Sequence, residues 1–268
     1  MMSVRHRPKR SLGQNFLIDK RTIQKIINVC GLNSQDVVLE IGPGQGALTA
    51  LIAESVKKLI AVEKDHDLAA ALSINSSSNN IEIMCGDILE FDWEKIGMDV
   101  KVIGNLPYNV ATPIIEKIIQ HRRRIKESYI MLQLEHANRL VAKPCSKEYG
   151  SLSCFVQYYA DVKKMFTIKN TCFNPKPKVD SCFLLLRPLD KARLGCLDED
   201  LLFRVIRAAF NYRRKTLLNS LGLLYKKDSV ERLLARAKIS SKRRAEELSL
   251  EEYVGFVNGV VESKEGLV

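Results

Sequence analysis

Through the first two thirds of the chain, short apolar runs alternate with stretches of helical periodicity. Val37-Val38-Leu39 enters a glycine cluster, Leu59-Ile60-Ala61-Val62 ends at Glu63, Ile81 to Met84 ends at Gly86-Asp87, and Val102-Ile103 ends at Gly104-Asn105. Runs of this length that stop at Gly, Asp or Asn predict buried strands. Between them, residues 47–55, 67–74 and 112–121 carry apolar positions at helical spacing, and residues 22–30 form a lead-in helix that stops at Gly31. Strands that alternate with helices predict a parallel sheet covered on both faces. Residues 129–132, 163–168 and 182–186 extend the sheet, with helices near 135–143 and 151–159, and the polar stretch 73–80 predicts a loop.

After Pro188 the pattern changes. Leu201, Leu202, Val205, Ile206 and Phe210, and then Leu217, Leu218 and Leu221, repeat at helical spacing with little strand signal between them. The expected organisation is therefore an α/β domain over residues 1–190 and a smaller all-helical domain over residues 191–268.

Composition excludes several classes. With 46% hydrophobic and 27% charged residues the chain can bury a full core. No apolar run reaches the roughly 18–20 residues of a membrane span, and the basic start has no apolar stretch behind it, so neither a membrane nor a secretory signal is expected. Seven cysteines without a CxxC pair or Cys/His spacing suit a reducing cytoplasm and predict no metal. The net charge of +11 is unevenly placed: residues 1–21 carry +5, residues 36–99 carry −8, and residues 204–245 carry +11. Two basic flanks around an acidic middle suggest a polyanionic partner at the flanks and a different ligand in the middle. A solvated helix face remains the plainer reading of any one basic cluster.

The run Glu40-Ile41-Gly42-Pro43-Gly44-Gln45-Gly46 follows the first strand and opens a helix, where glycines admit close approach of a ligand and free N–H groups are available. Its spacing is GxGxG, with the acidic Glu40 two positions before the first glycine, and departs from the dinucleotide fingerprint GxGxxG, which tilts the reading towards a nucleoside without a pyrophosphate. Glu63 stands 21 positions after Gly42 at the end of the second strand, placed to accept both hydroxyls of a ribose, and Asp87 follows the third strand, placed for the exocyclic amine of an adenine. Asn105-Leu106-Pro107-Tyr108 closes the fourth strand on the same edge. An amide oxygen and a backbone carbonyl there can accept hydrogen bonds from a planar amine, while Tyr108 stacks on its ring. Taken singly, each of these features is also compatible with a strand-end acid or a Pro-containing turn.

Together with Lys9 to Leu17, Tyr149 to Ser153, Phe173 to Ser181 and Arg207 to Leu217, these motifs resemble the small-subunit (16S-type) ribosomal RNA adenine N6,N6-dimethyltransferases over about residues 9–221. The resemblance implies a Rossmann-like S-adenosylmethionine-dependent methyltransferase sheet with a smaller helical domain. It implies that Asn15, Leu17 and Gly42 meet the methionine end of the cofactor, Glu63 its ribose and Asp87 its adenine. It also places Asn105 between cofactor and target base, the Leu106 carbonyl beside Pro107 on the target amine, and Tyr108 and Phe173 on either face of a flipped adenine. Arg10, Arg213, Arg214 and Lys215 are the expected RNA contacts. The expected substrate is small-subunit ribosomal RNA or the immature small subunit, and the expected enzyme is cytoplasmic and monomeric.

Three rivals stay open on sequence. They are a large-subunit rRNA adenine methyltransferase of the antibiotic-resistance type, which shares the 9–17 and 105–108 patterns, a non-catalytic RNA-binding assembly factor, and a nicotinamide dehydrogenase, which the glycine spacing disfavours.

Overall fold

The computed structural model describes residues 7–9, 12–75, 78–107 and 110–263, and two of the expected site residues, Arg10 and Tyr108, lie outside them. The chain separates into two compact units, one of residues 1–137 and 161–190, the other of residues 138–160 and 191–268. The second unit thus takes in a segment that the sequence assigned to the first domain.

In the first unit, β1 (Phe16–Leu17) leads into α1 (Lys20–Cys30). Asp19 caps that helix by accepting from the Thr22 N–H at 2.8 Å, and Gly31 ends it in the left-handed region at φ +51°. Then come β2 (Val37–Ile41), α2 (Thr49–Ser55), β3 (Lys58–Glu63), α3 (His66–Asn75), β4 (Ile81–Cys85), β5 (Val100–Asn105), α4 (Ala111–Gln120), β6 (Ile125–Gln133) and α5 (Leu134–Leu140). After the excursion into the second unit, β7 (Ala160–Ile168), β8 (Phe173–Asn174) and β9 (Ser181–Pro188) complete it. Helix α3 runs three residues, 73–75, into the stretch read from the sequence as loop.

The large sheet has the order β4-β3-β2-β5-β6-β9-β7. β2 pairs in parallel with both β3 and β5, β3 with β4 and β5 with β6, whereas β9 runs antiparallel to β6. The chain therefore winds outward from β2 to β4, returns to the other side of β2, and winds outward again. That reversal puts a crevice outside the carboxyl ends of β2 and β5, the position where open α/β sheets bind ligands. Gly104 lets the two strands close up there, since a Cβ on it would meet the Ile41 carbonyl at 3.0 Å. A separate antiparallel pair joins β1 to β8, Phe16 opposite Asn174 and Leu17 opposite Phe173. The core beneath contains Ile26, Val38, Ile52, Leu59, Ile103 and Phe183, all buried.

In the second unit, α6 (Ser151–Tyr159) packs against α7 (Glu199–Asn211). Phe203 meets the rings of Phe155 at 5.3 Å and Tyr158 at 5.5 Å, and the hydroxyls of Tyr158 and Tyr159 both donate to the Glu199 carboxylate. These contacts are the reason 138–160 joins this unit. α8 (Leu217–Leu221), α9 (Lys227–Arg236) and α10 (Leu250–Ser263) complete it, α10 burying Tyr253, Phe256 and Val257. Among the described residues no helix is long and apolar enough to cross a membrane, and no group of His, Cys, Asp and Glu is arranged to hold a metal ion.

Candidate active site

The turn after β2 is built by glycines in left-handed backbone, Gly42 at φ +65° and Gly44 at φ +62°. At Gly44 the space is also taken: a Cβ would come within 3.1 Å of the Phe16 ring. The turn is tied to β3, because the Gly42 N–H donates to the Val62 carbonyl at 2.9 Å and the Gly44 N–H to Glu63 Oε2 at 2.9 Å. The other Glu63 oxygen, Oε1, accepts from the Asp65 N–H at 2.8 Å. Burial and the neighbouring Asp65 charge push the Glu63 carboxyl up, and the backbone N–H groups pull against them. Each oxygen keeps a further lone pair, so two ribose hydroxyls can still be accepted.

A single cavity in the first unit brings together Asn15, Leu17, Gly42, Glu63, Asp87, Asn105, Leu106 and Pro107. Every described residue expected at the cofactor is on its wall, drawn from the ends of four strands and from the 12–17 segment. Asp87 accepts from Lys64 Nζ at 2.7 Å and from the Leu89 N–H at 3.0 Å. Burial alone would raise its pKa; the Lys64 hydrogen bond and the Leu89 N–H outweigh that and hold it below the ordinary carboxylate value.

The turn after β5 is braced on both sides. The Leu106 N–H donates to the Met131 carbonyl at 3.1 Å, and the Pro107 carbonyl accepts from Val110 at 3.1 Å. Asn105 donates its side-chain NH2 to the Asn15 carbonyl at 3.1 Å, which fixes the amide with its nitrogen towards the 12–17 segment and its oxygen at the opposite end.

Phe173 is placed elsewhere than the sequence reading put it. It is not on the cavity wall; pairing with Leu17 in the β1–β8 ladder sets its side chain, 3% exposed, in the core cluster that also contains Met131 and Phe183. The faces expected to stack on a base are covered by protein. Of the candidate RNA contacts, Arg213 is half-buried, bonded to the Ser146 carbonyl at 3.1 Å and 3.7 Å from Glu246, whereas Arg214 and Lys215 are exposed.

Two features go beyond what the sequence showed, the first at residues it did not single out and the second at the acidic residue ahead of the glycine run. Lys9 Nζ binds Asp65 at 2.6 Å and Asp67 at 2.8 Å, and Gln14 donates to the second Asp65 oxygen at 2.7 Å, so the N-terminal segment is latched to the loop after β3. Burial pushes Asp65 up, and the bonds from Lys9, Gln14 and the Asp67 N–H more than offset it, leaving the carboxyl below its ordinary value. The second feature is Glu40, also on the cavity wall, 2% exposed, with Oε2 lacking any hydrogen-bond partner among the described residues. Burial pushes the Glu40 carboxyl up; the neighbouring Thr49 hydroxyl, itself without a partner in hydrogen-bonding geometry, lies near enough to pull it down. A carboxyl-lined cavity with glycine backbone on one wall and an orphaned acceptor suits a nucleoside that carries positive charge.

The ribosomal RNA adenine dimethylase family matches this chain over residues 5–260. A relative from Clostridium acetobutylicum, named ribosomal RNA small subunit methyltransferase A, is 42% identical over 247 residues that make up 90% of each chain. The crystal structure of a dimethyladenosine transferase from Plasmodium falciparum superposes with a TM-score of 0.80 at 26% identity, covering 93% of this chain and 98% of that one. The 23S rRNA methyltransferase ErmE superposes at 0.70 with 24% identity, over 92% of this chain and all of that one, which shows the shared fold. The chain belongs to the ribosomal RNA adenine dimethylase family, whose members are S-adenosylmethionine-dependent methyltransferases.

Proposed function

We propose that this protein dimethylates the N6 amines of two adjacent adenosines near the 3′ end of small-subunit ribosomal RNA, in the cytoplasm and as a monomer, on the immature small subunit. The observation that carries the reading is the meeting of two turns at one crevice, the glycine turn after β2 and the Asn105-Leu106-Pro107 turn after β5. S-adenosylmethionine, when bound, supplies a methyl group already activated on a sulfonium. The chain's own task is then alignment, and fixing two reactants in register can supply roughly 7–11 kcal/mol of barrier lowering.

In this reading Glu63 accepts the ribose hydroxyls, Asp87 the adenine amine, and Asn15, Leu17 and Gly42 bound the methionine end. Asn105, held by Asn15, turns its amide oxygen to the target amine and draws the nitrogen lone pair out of conjugation, with the Leu106 carbonyl as second acceptor. Tyr108 supplies the stacking face for the turned-out base, while Phe173 supports the floor from within the core. Arg214 and Lys215 face phosphate, and Arg10 is assigned with them by its place in the basic head. The test is transfer of labelled methyl groups to small-subunit particles from cells that lack the protein. Mass spectrometry should find N6,N6-dimethyladenosine at two neighbouring positions; label in large-subunit RNA instead would reject the assignment.

A further inference from the structure

Three carboxylates at or behind the cavity have both oxygens engaged by the protein: Glu63 by the N–H groups of Gly44 and Asp65, Asp87 by Lys64 and Leu89, and Asp65 by Lys9 and Gln14. Glu40 differs: it is 2% exposed on the cavity wall, and its Oε2 makes no hydrogen bond with the described residues. Its register partners on the two adjacent strands, Ala61 and Ile103, are apolar. Thr49 approaches from α2 without bonding to it, and the charge acting on it is that of Glu63, which is of like sign. A buried carboxylate with no well-formed hydrogen bond at that oxygen and a like charge beside it is costly, and a carboxylic acid there is less so. Only a cation brought in by a ligand would reverse that balance.

We propose that Glu40 distinguishes the cationic cofactor from its spent form, holding a proton when the site is free or contains the thioether and standing as a carboxylate when the site contains the sulfonium. This rests on the cofactor reading above. Burial raises the Glu40 carboxyl to about 8, so near neutral pH it is poised to give up its proton at a modest cost. The proton count closes over one transfer. The adenine nitrogen's lone pair forms the new N–C bond as the C–S bond breaks with its pair kept on sulfur. The amine loses one proton and Glu40 regains one, so the charge that held the donor in place is cancelled as the product forms. Such a group favours release of the spent cofactor, which an enzyme that adds two methyl groups to one nitrogen must exchange between transfers.

The experiment is calorimetry of S-adenosylmethionine and S-adenosylhomocysteine binding in buffers of differing ionisation enthalpy, with wild type and Glu40→Gln. Subtracting the variant removes the ligand amine's own titration, and the amine is common to both ligands. At pH 7 the wild type should release about one proton more than the variant on binding the sulfonium. No such difference is expected for the thioether. Glu40→Gln should weaken the sulfonium by about tenfold or more and the thioether by less than about threefold, each tenfold step corresponding to about 1.4 kcal/mol. Carboxyl-carbon NMR of wild-type protein labelled at glutamate tests the same point without a variant: Glu40 should titrate near 8 when free and stay ionised to pH 6 in the sulfonium complex. Equal proton release with both ligands overturns the inference, as does no release with either. If neither ligand binds wild type, the cofactor reading itself fails and the inference falls with it, a result distinct from binding without proton release.

Discussion

Asn105 donates its side-chain NH2 to the backbone carbonyl of Asn15, 3.1 Å away. One bond thus joins the turn after β5 to the N-terminal segment that helps to wall the cavity. Asn105→Ala removes both the acceptor proposed for the target amine and this tie. Loss of a positioned hydrogen-bonding group of this kind costs about 10²–10³ in turnover. Labelled methyl transfer should fall by at least that factor, while S-adenosylmethionine binding, read by calorimetry, should weaken by less than about tenfold because Glu63 and Asp87 are untouched. Full methylation by the variant would reject the role given to Asn105.

The latch of Lys9, Gln14 and Asp65 predicts a kinetic effect. Asp65 connects the N-terminal segment directly to Glu63, the carboxylate proposed for the ribose, since its own N–H donates to Glu63 Oε1. Asp65→Asn should speed cofactor dissociation several-fold in a stopped-flow displacement assay. Lys9→Met should have a smaller effect, because Lys9 is 41% exposed and its attraction is screened. Raising the salt concentration should reduce the difference between Lys9→Met and wild type. A dissociation rate unchanged in both variants would mean that the segment is held without the latch, by the β1–β8 ladder and the Asn105–Asn15 bond.

Strand ends were the most legible part of the sequence, because apolar runs that stop at Glu63, Asp87 and Asn105 announce both the strand and the group it delivers. What was not legible depends on pairing across distance. Two-residue strands such as β1 and β8 have no periodicity to read, so the burial of Phe173 opposite Leu17 left no local signal. The helix at 151–159 was visible from its spacing, but periodicity says nothing about its partner, and the Phe155 and Tyr158 contacts with Phe203 carry it into the second unit. Lys9 and Asp65 read as ordinary surface charges until the fold brings them within 2.6 Å.

Glu40 also predicts how stability depends on pH. Its folded pKa of about 8 lies above the ordinary carboxylate value of about 4.3, so between those values the folded state holds a proton that the unfolded state has released. Its contribution is fully present below about pH 4.3 and is lost as pH rises towards 8, at about 1.4 kcal/mol per pH unit in that window. Asp65 and Asp87, whose pKa values lie below the ordinary one, act only in acid and leave this window clear. Urea unfolding of the free protein from pH 5 to 9 should therefore show Glu40→Gln gaining on wild type up to about pH 8 and levelling off above it. A difference that stays constant with pH would place the Glu40 proton elsewhere.

The basic run after α7 divides by burial, which sharpens the expectation for RNA. Arg213 is bonded to the Ser146 carbonyl and lies beside Glu246, whose own carbonyl accepts from the Cys145 N–H at 2.7 Å. A guanidinium so engaged is already paired, and its loss should show as reduced stability of the second unit, on the order of 1 kcal/mol. Arg214 and Lys215 are exposed, and Lys215 Nζ lies 5.1 Å from the centroid of the half-exposed Tyr212 ring. Two free charges next to an aromatic face are suited to phosphate and base together. Neutralising Arg214 and Lys215 should lower the slope of log affinity against log salt by about 1.4 on single-stranded RNA, two contacts at about 0.7 each. Arg213→Gln should leave that slope nearly unchanged while lowering the unfolding midpoint. Equal slopes for the double variant and wild type would move the RNA contact to another surface, and a large slope change from Arg213 alone would mean that its bond to Ser146 breaks when RNA binds.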